Sequence, residues 1–313
     1  MENTKICVAG IGAVGGLLAS MLGKTHGDEL TLIARANRAQ MLRRNGLILH
    51  SEFYGEVHTK AHQICEKATE IGVQDFIFIC VKNYSLAEMA EMLRPAVDAH
   101  TVIIPVMNGV EAGDRLREVF PEAIVCDAVI YTISGANPDG SVTQSGQYTH
   151  LFIGSKVQDE RHQSGARAAW ELFAGTGFDC RFAANINQEI WQKFILNCAF
   201  NTITARHRTT TGVIRCDESL KADLRALLTE AYQAGTAEGI EVPDDFVDQK
   251  YDYVIHRQPP DGTSSMKRDV DAKRPIELDA FTGTVLRLAE KHGIDVPVTR
   301  QYHEVLAQMV SKY

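Results

Sequence analysis

The sequence predicts an α/β protein, with an N-terminal doubly wound parallel sheet over residues 1–183 and an all-helical C-terminal domain over residues 184–313. Three observations predict it. Short runs rich in β-branched residues alternate with helical periodicity through the first half, the pattern of βαβ units on a sheet covered on both faces. A glycine-rich turn joins the first such run to the first helix. Beyond residue 183 the strand signal stops and the apolar residues recur with a helical period.

In chain order, residues 5–9 read as a strand, 14–23 as a helix and 29–34 as a second strand. Further strands are expected at 76–81 and 101–107, with helices at 85–93 and 111–119 between and after them. Residues 135–154, rich in Gly, Ser, Thr and Asn with alternating apolar positions, suggest an antiparallel hairpin, and 161–174 a last helix of this half. In the second half, helices are expected at 188–205, 219–238, 246–256, 277–292 and 300–312. A chain of 313 residues suits two domains of about 150 each.

Composition narrows the function classes. Hydrophobic residues make up 45% and charged residues 23%, ample material for a core and ordinary for a globular chain. Lys and Arg total 32 against 40 Asp and Glu, a net charge of -8 that argues against nucleic acid or an anionic membrane as partner. The seven cysteines (Cys7, Cys65, Cys80, Cys126, Cys180, Cys198 and Cys216) are odd in number and lack C-x-x-C spacing, so buried reduced thiols are expected and no metal site. Residues 6–22 resemble a signal-peptide core in hydrophobicity, but Gly10, Gly12, Gly15 and Gly16 suit a turn, no A-x-A pattern follows, and the run is short for a membrane span. A cytoplasmic protein is expected.

Gly10-Ile11-Gly12-Ala13-Val14-Gly15 is G-x-G-x-x-G placed directly after a strand and opening a helix. In that context the first glycine permits the turn, the second lets a pyrophosphate approach the backbone, and the third lets helix and strand pack closely. This makes the first half a Rossmann-type dinucleotide-binding domain; the alternative is a glycine-rich turn without a ligand. Where NAD enzymes place an acid after the second strand, this chain has Arg35 and then Arg38, which suits a 2′-phosphate and hence NADP. Lys82 and Asn108-Gly109 follow two further strands, where open α/β sheets bind ligands, although Asn-Gly is also a turn signal.

In the second half, Glu189, Lys193, Asn197 and Asn201 recur every four residues on an otherwise apolar helix. A narrow polar stripe on a buried helix points to a ligand-lined face rather than to solvent, where the polar face is normally wider. Ser264-Ser265-Met266 and Pro275-Ile-Glu277-Leu-Asp279 form a second cluster, in which Glu277 reads equally as helix-start chemistry or as a functional carboxylate.

Taken together, these motifs resemble the ketopantoate reductases (2-dehydropantoate 2-reductases) over nearly the whole chain. The resemblance is carried by Gly10 to Gly16, Arg35, Val81-Lys82, Asn108-Gly109, Trp191-Gln-Lys193-Phe-x-x-Asn197 with Asn201, Ser264-Ser265-Met266 and Glu277. It implies NADPH-dependent reduction of a 2-oxo acid to the D-type 2-hydroxy acid, with ketopantoate giving pantoate for pantothenate synthesis. It also implies Lys193 as general acid and Glu277 at the substrate hydroxyl region. Asn108, Asn197, Asn201 and Ser265 would hold substrate, and a homodimer is the family expectation. Thr211, Gly262, Lys267-Arg268-Asp269 and Thr282-Gly283 depart from the family pattern, which bears on which 2-oxo acid is used. A β-hydroxyacid dehydrogenase relative and a non-catalytic NADP-binding sensor are the competing readings.

Overall fold

A computed structural model describes residues 4–312. The chain divides into two compact units, Met1–Glu189 and Ile190–Tyr313.

The first unit opens with β1 (Ile6–Ala9), α1 (Ala13–His26), β2 (Leu30–Ile33) and α2 (Ala36–Asn45). Next come β3 (Leu47–Ser51), β4 (Gly55–Thr59), β5 (Gln63–Cys65), β6 (Phe76–Ile79) and α3 (Leu86–Leu93). It continues through β7 (Val102–Pro105), α4 (Ala112–Val119), β8 (Ile124–Val125), β9 (Asp127–Ala136), β10 (Val142–Gly154), α5 (Glu160–Glu171) and β11 (Cys180–Phe182). Six strands form a parallel sheet in the order β5-β2-β1-β6-β7-β8, so the direction of winding reverses between β1 and β6. That is the doubly wound arrangement the sequence predicts, and the reversal is where such sheets open a crevice beyond their strand ends.

The strands are apolar throughout because both faces are covered. Ile6 and Val8 of β1 join one core, while Cys7 and Ala9 join another with Leu86, Met89 and Leu93 of α3. α1 is apolar on all sides, and Gly15 to Leu22 are buried without a break.

A second sheet, β11-β10-β3-β4 with β9 antiparallel to β10, contributes to the first of these cores. The expected hairpin over 135–154 is its β9–β10 pair, but β9 begins earlier, at Asp127, and the strands β3, β4 and β11 and the helix α2 extend beyond the sequence expectation. α1 meets this sheet closely: a Cβ on Gly16 would stand 2.4 Å from Val142, and one on Gly23 2.3 Å from Thr59.

The helical elements are α6 (Ile186–His207), α7 (Thr211–Cys216), α8 (Glu218–Ala237), α9 (Phe246–Asp252), α10 (Ser265–Asp271), α11 (Thr284–His292) and α12 (Pro297–Val310). The division between the units falls inside α6. Trp191 and Phe194 of α6 pack edge to face, and Phe194 stacks on Phe281. Gly235 lets α8 approach, since a Cβ there would meet the Trp191 ring at 2.9 Å. Buried Glu230 of α8 accepts the Val298 and Thr299 amides at 3.0 and 2.7 Å, satisfying donors at the start of α12 that its own helix leaves orphaned.

Two expected helices are interrupted. α9 passes into a π turn at Tyr253–Arg257, and the expected helix at 277–292 begins as a π turn at Asp279–Gly283. Pro275 disfavours helix at Arg274, and the Arg274 amide bonds back to the Asp269 carbonyl at 2.8 Å, so Glu277 stands in the irregular run before the helix. Among the cysteines all seven are free; Cys216 is exposed and Cys180 half-buried, against the expectation of uniform burial. Among the described residues no His, Cys, Asp or Glu group could hold a metal ion, and no helix is long and apolar enough to cross a membrane.

Candidate active site

Because β1, β2, β6 and β7 run parallel and in register, the segments that follow them lie along one edge of the sheet. The glycine turn occupies this edge after β1. Gly10 has φ +94°, and a Cβ on it would meet Val81 at 2.6 Å; one on Gly15 would stand 2.1 Å from the Gly10 carbonyl oxygen. Both glycines are demanded by packing within the chain. Gly12 is different, for a Cβ there would have nothing within 4 Å. Its missing side chain makes room for something other than this chain, as close approach of a dinucleotide requires. No side chain caps α1 and its first turn carries no acid, so its amides remain available to an anion. Ile11, Ala13 and Val14 complete the turn.

Arg38, expected to stand beside Arg35 as an anion-binding cation, serves the turn itself. Its Nε donates to the Ile11 carbonyl at 2.8 Å and its Nη1 to the Gly140 carbonyl, while its buried Nη2 lacks an acceptor. The turn, the orphaned donor and the open space above Gly12 together fit a bound dinucleotide. Arg35 opens α2 with extended backbone and pairs with Glu88 of α3, the two side chains 48% and 67% exposed.

Lys82 follows β6 half-buried, and Asn108 follows β7. The two segments are joined, since Asn83 Nδ2 donates to the Asn108 carbonyl at 2.9 Å. Gly109 takes φ +86°, and Lys156 Nζ holds the next carbonyl, that of Val110, at 2.8 Å. Neither Asn83 nor Lys156 is a sequence-level candidate; adjacency to Lys82 was the only local signal for the first, and the second comes from 46 residues away.

In the helical unit, Lys193 and Asn197 are half-buried on α6 and Asn201 is 5% exposed. Glu189, the first member of the stripe, falls instead in the N-terminal unit, where its carbonyl accepts from the Tyr131 hydroxyl at 3.5 Å. Burial pulls the Lys193 ammonium from its ordinary 10.5 down to about 8, and the Glu277 carboxylate, 6% exposed, acts in the opposite sense. The irregular run after Pro275 thus brings the Glu277 charge to bear on Lys193.

The serine pair divides its work. Ser264 is buried and structural: its Oγ accepts the Lys267 amide at 3.0 Å and the Thr204 hydroxyl at 2.7 Å, fixing the start of α10 against α6. Ser265 follows as the first residue of α10 and is only half-buried. Two of the positions that depart from the family pattern meet each other: the Thr211 amide and hydroxyl both donate to the Gly262 carbonyl, at 3.0 and 3.2 Å.

Comparison with known proteins covers both halves of the chain. Residues 6–157 match the family model described as "Ketopantoate reductase PanE/ApbA", and residues 185–310 that of "Ketopantoate reductase PanE/ApbA C terminal". The chain is 28% identical over 311 residues to a 2-dehydropantoate 2-reductase of Mesorhizobium japonicum, covering 91% of each. It is similar to the crystal structure of a PanE/ApbA family ketopantoate reductase from Ralstonia eutropha JMP134, with TM-score 0.88, 26% identity and 99% of each chain covered. A D-mandelate dehydrogenase solved with NADH and anilino(oxo)acetate shares the fold at TM-score 0.87 and 19% identity, again over 99% of each chain.

Proposed function

The chain belongs to the ketopantoate reductase family, a family of dinucleotide-binding oxidoreductases, and on that premise we propose that it reduces a 2-oxo acid with NADPH, ketopantoate being the foremost substrate and (R)-pantoate, for pantothenate biosynthesis, the product. The observation that carries the reading is the line of Lys193, Asn197 and Asn201 at four-residue spacing on α6, with burial lowering the Lys193 pKa and the Glu277 carboxylate raising it. NADPH, when bound, supplies a hydride to the carbonyl carbon. Negative charge then grows on the carbonyl oxygen, where an ammonium stabilises it and delivers the proton. A lysine poised at about 8 is charged at neutral pH yet gives up its proton more readily than an exposed one.

In this reading Gly10, Ile11, Gly12, Ala13, Val14 and Gly15 cradle the pyrophosphate, Arg35 faces the 2′-phosphate, and Lys82 and Asn108 line the cofactor edge. Asn108, Asn197, Asn201 and Ser265 hold the 2-oxo acid, with Glu277 at its hydroxyl region. A cytoplasmic homodimer is part of the same proposal. The test is steady-state kinetics of the purified protein with NADPH and NADH against ketopantoate and smaller 2-oxo acids. Turnover of ketopantoate with NADPH supports the assignment, and activity confined to a 3-hydroxy acid overturns it.

A second reading, a reductase of another 2-oxo acid, is favoured by the bonded Thr211–Gly262 pair at departing positions. The same substrate panel decides between them.

A further inference from the structure

Arg35 lies just past β2, where a ribose 2′-substituent would lie, and Arg38 and Arg43 lie on the helix α2 after it; the chain has already engaged all three. Arg38 is fixed to the Ile11 and Gly140 carbonyls. Arg43 bonds the Ile64 carbonyl at 3.3 and 3.2 Å and Glu66 at 3.0 Å. Glu66 also accepts the Ala36 amide at 3.0 Å, occupying a backbone donor that opens α2. Arg35 alone is held by a single exposed carboxylate, that of Glu88, which reaches it from α3. An exposed pair of this kind holds weakly and exchanges readily. A phosphate dianion drawn to Arg35 would nevertheless meet the Glu88 charge at the same guanidinium, and like charges at such range repel.

We infer that Glu88 is a specificity-determining residue: its carboxylate takes the place at Arg35 that a 2′-phosphate would occupy, and so weakens the preference for the phosphorylated over the unphosphorylated dinucleotide. An unphosphorylated ribose carries no charge for Glu88 to repel and leaves the ion pair intact. The inference rests on the proposed role of Arg35. It adds that this role is opposed from within the chain, so that NADH is a usable cofactor in the native protein and selectivity for NADPH is held below what Arg35 alone would give.

The test is calorimetric binding of NADPH, NADH and adenosine 2′,5′-bisphosphate to the native protein, to E88Q, to R35A and to the double variant. E88Q is expected to tighten NADPH and the bisphosphate about tenfold, equivalent to about 1.4 kcal/mol, while leaving NADH within about twofold. The gain should shrink as salt screens the repulsion, and in the R35A background it should be smaller than in the native protein. If R35A weakens NADPH selectively but E88Q shifts neither phosphorylated ligand, or shifts NADH equally, the inference falls and the role of Arg35 stands. If R35A weakens both dinucleotides alike, Arg35 does not read the phosphate and both fall.

Discussion

Along the strand ends of the first sheet, the groups proposed to meet a ligand are backbone amides beside a glycine whose absent side chain leaves open space, with Arg35, Lys82 and Asn108 next to them. Along α6 they are side chains, and what distinguishes Lys193 is a charge made less stable by its surroundings. As proposed, the first region recognises its ligand largely by shape and needs little change in any group's chemistry. In the proposed function the second supplies chemistry, which requires removing an ammonium from water and placing a carboxylate where it can oppose the shift. Damage should therefore show differently in the two: in affinity or folding at the strand ends, in turnover and its pH dependence on the helix.

The largest effect is expected at Lys193. Lys193→Ala should lower kcat by about 10²–10⁴-fold with dinucleotide affinity little changed, as stopped-flow or steady-state assays and calorimetry would show. Undiminished turnover would remove the proton donor from the scheme. Next is the contrast within the glycine turn. Gly15→Ala forces a Cβ to 2.1 Å from the Gly10 carbonyl oxygen, and overpacking of this kind costs about 1–3 kcal/mol, readable as a lower melting temperature. Gly12→Ala meets nothing within 4 Å, so its melting temperature should stay close to that of the native protein while dinucleotide affinity falls about tenfold or more. Equal thermal losses in both would erase the distinction between a packing glycine and a ligand glycine.

The smallest effect is a shift rather than a loss. In the proposed reaction, reduction needs Lys193 protonated, so activity should hold at neutral pH and fall as pH rises through about 8. Glu277 raises the lysine pKa, so in Glu277→Gln the alkaline limb should move to lower pH. A limb that stays in place, measured over a pH series of kcat, would show that Glu277 does not act through Lys193.

Much of the fold was legible because it is local. Ile6 to Ala9 and Phe76 to Ile79 advertise buried parallel strands by unbroken apolar runs, and the glycine turn is defined by spacing alone. The second sheet was less legible. β3 and β4 are short, with burial alternating or nearly absent, and β10 takes its partners β3 and β11 from far along the chain in either direction. On α6, the four-residue repeat marked Glu189, Lys193, Asn197 and Asn201 alike, and only the fold shows Glu189 to be the last residue of the N-terminal unit. Which of two adjacent serines is structural could not be read from Ser264-Ser265 either; a hydroxyl from Thr204, 60 residues away, settles it.

The sequence by itself determined the strand–helix alternation of the parallel sheet, the glycine turn, the face of α6 that carries polar groups and the family to which the chain belongs. These depend on backbone geometry and periodicity, which are set by neighbours along the chain. Only the tertiary structure decided that Gly12 is unopposed while Gly15 is packed, that Arg38 braces the turn, that Arg35 is paired with Glu88, and that Glu277 acts on a desolvated Lys193. Burial and charge depend on groups brought together from distant positions, and no local pattern records them.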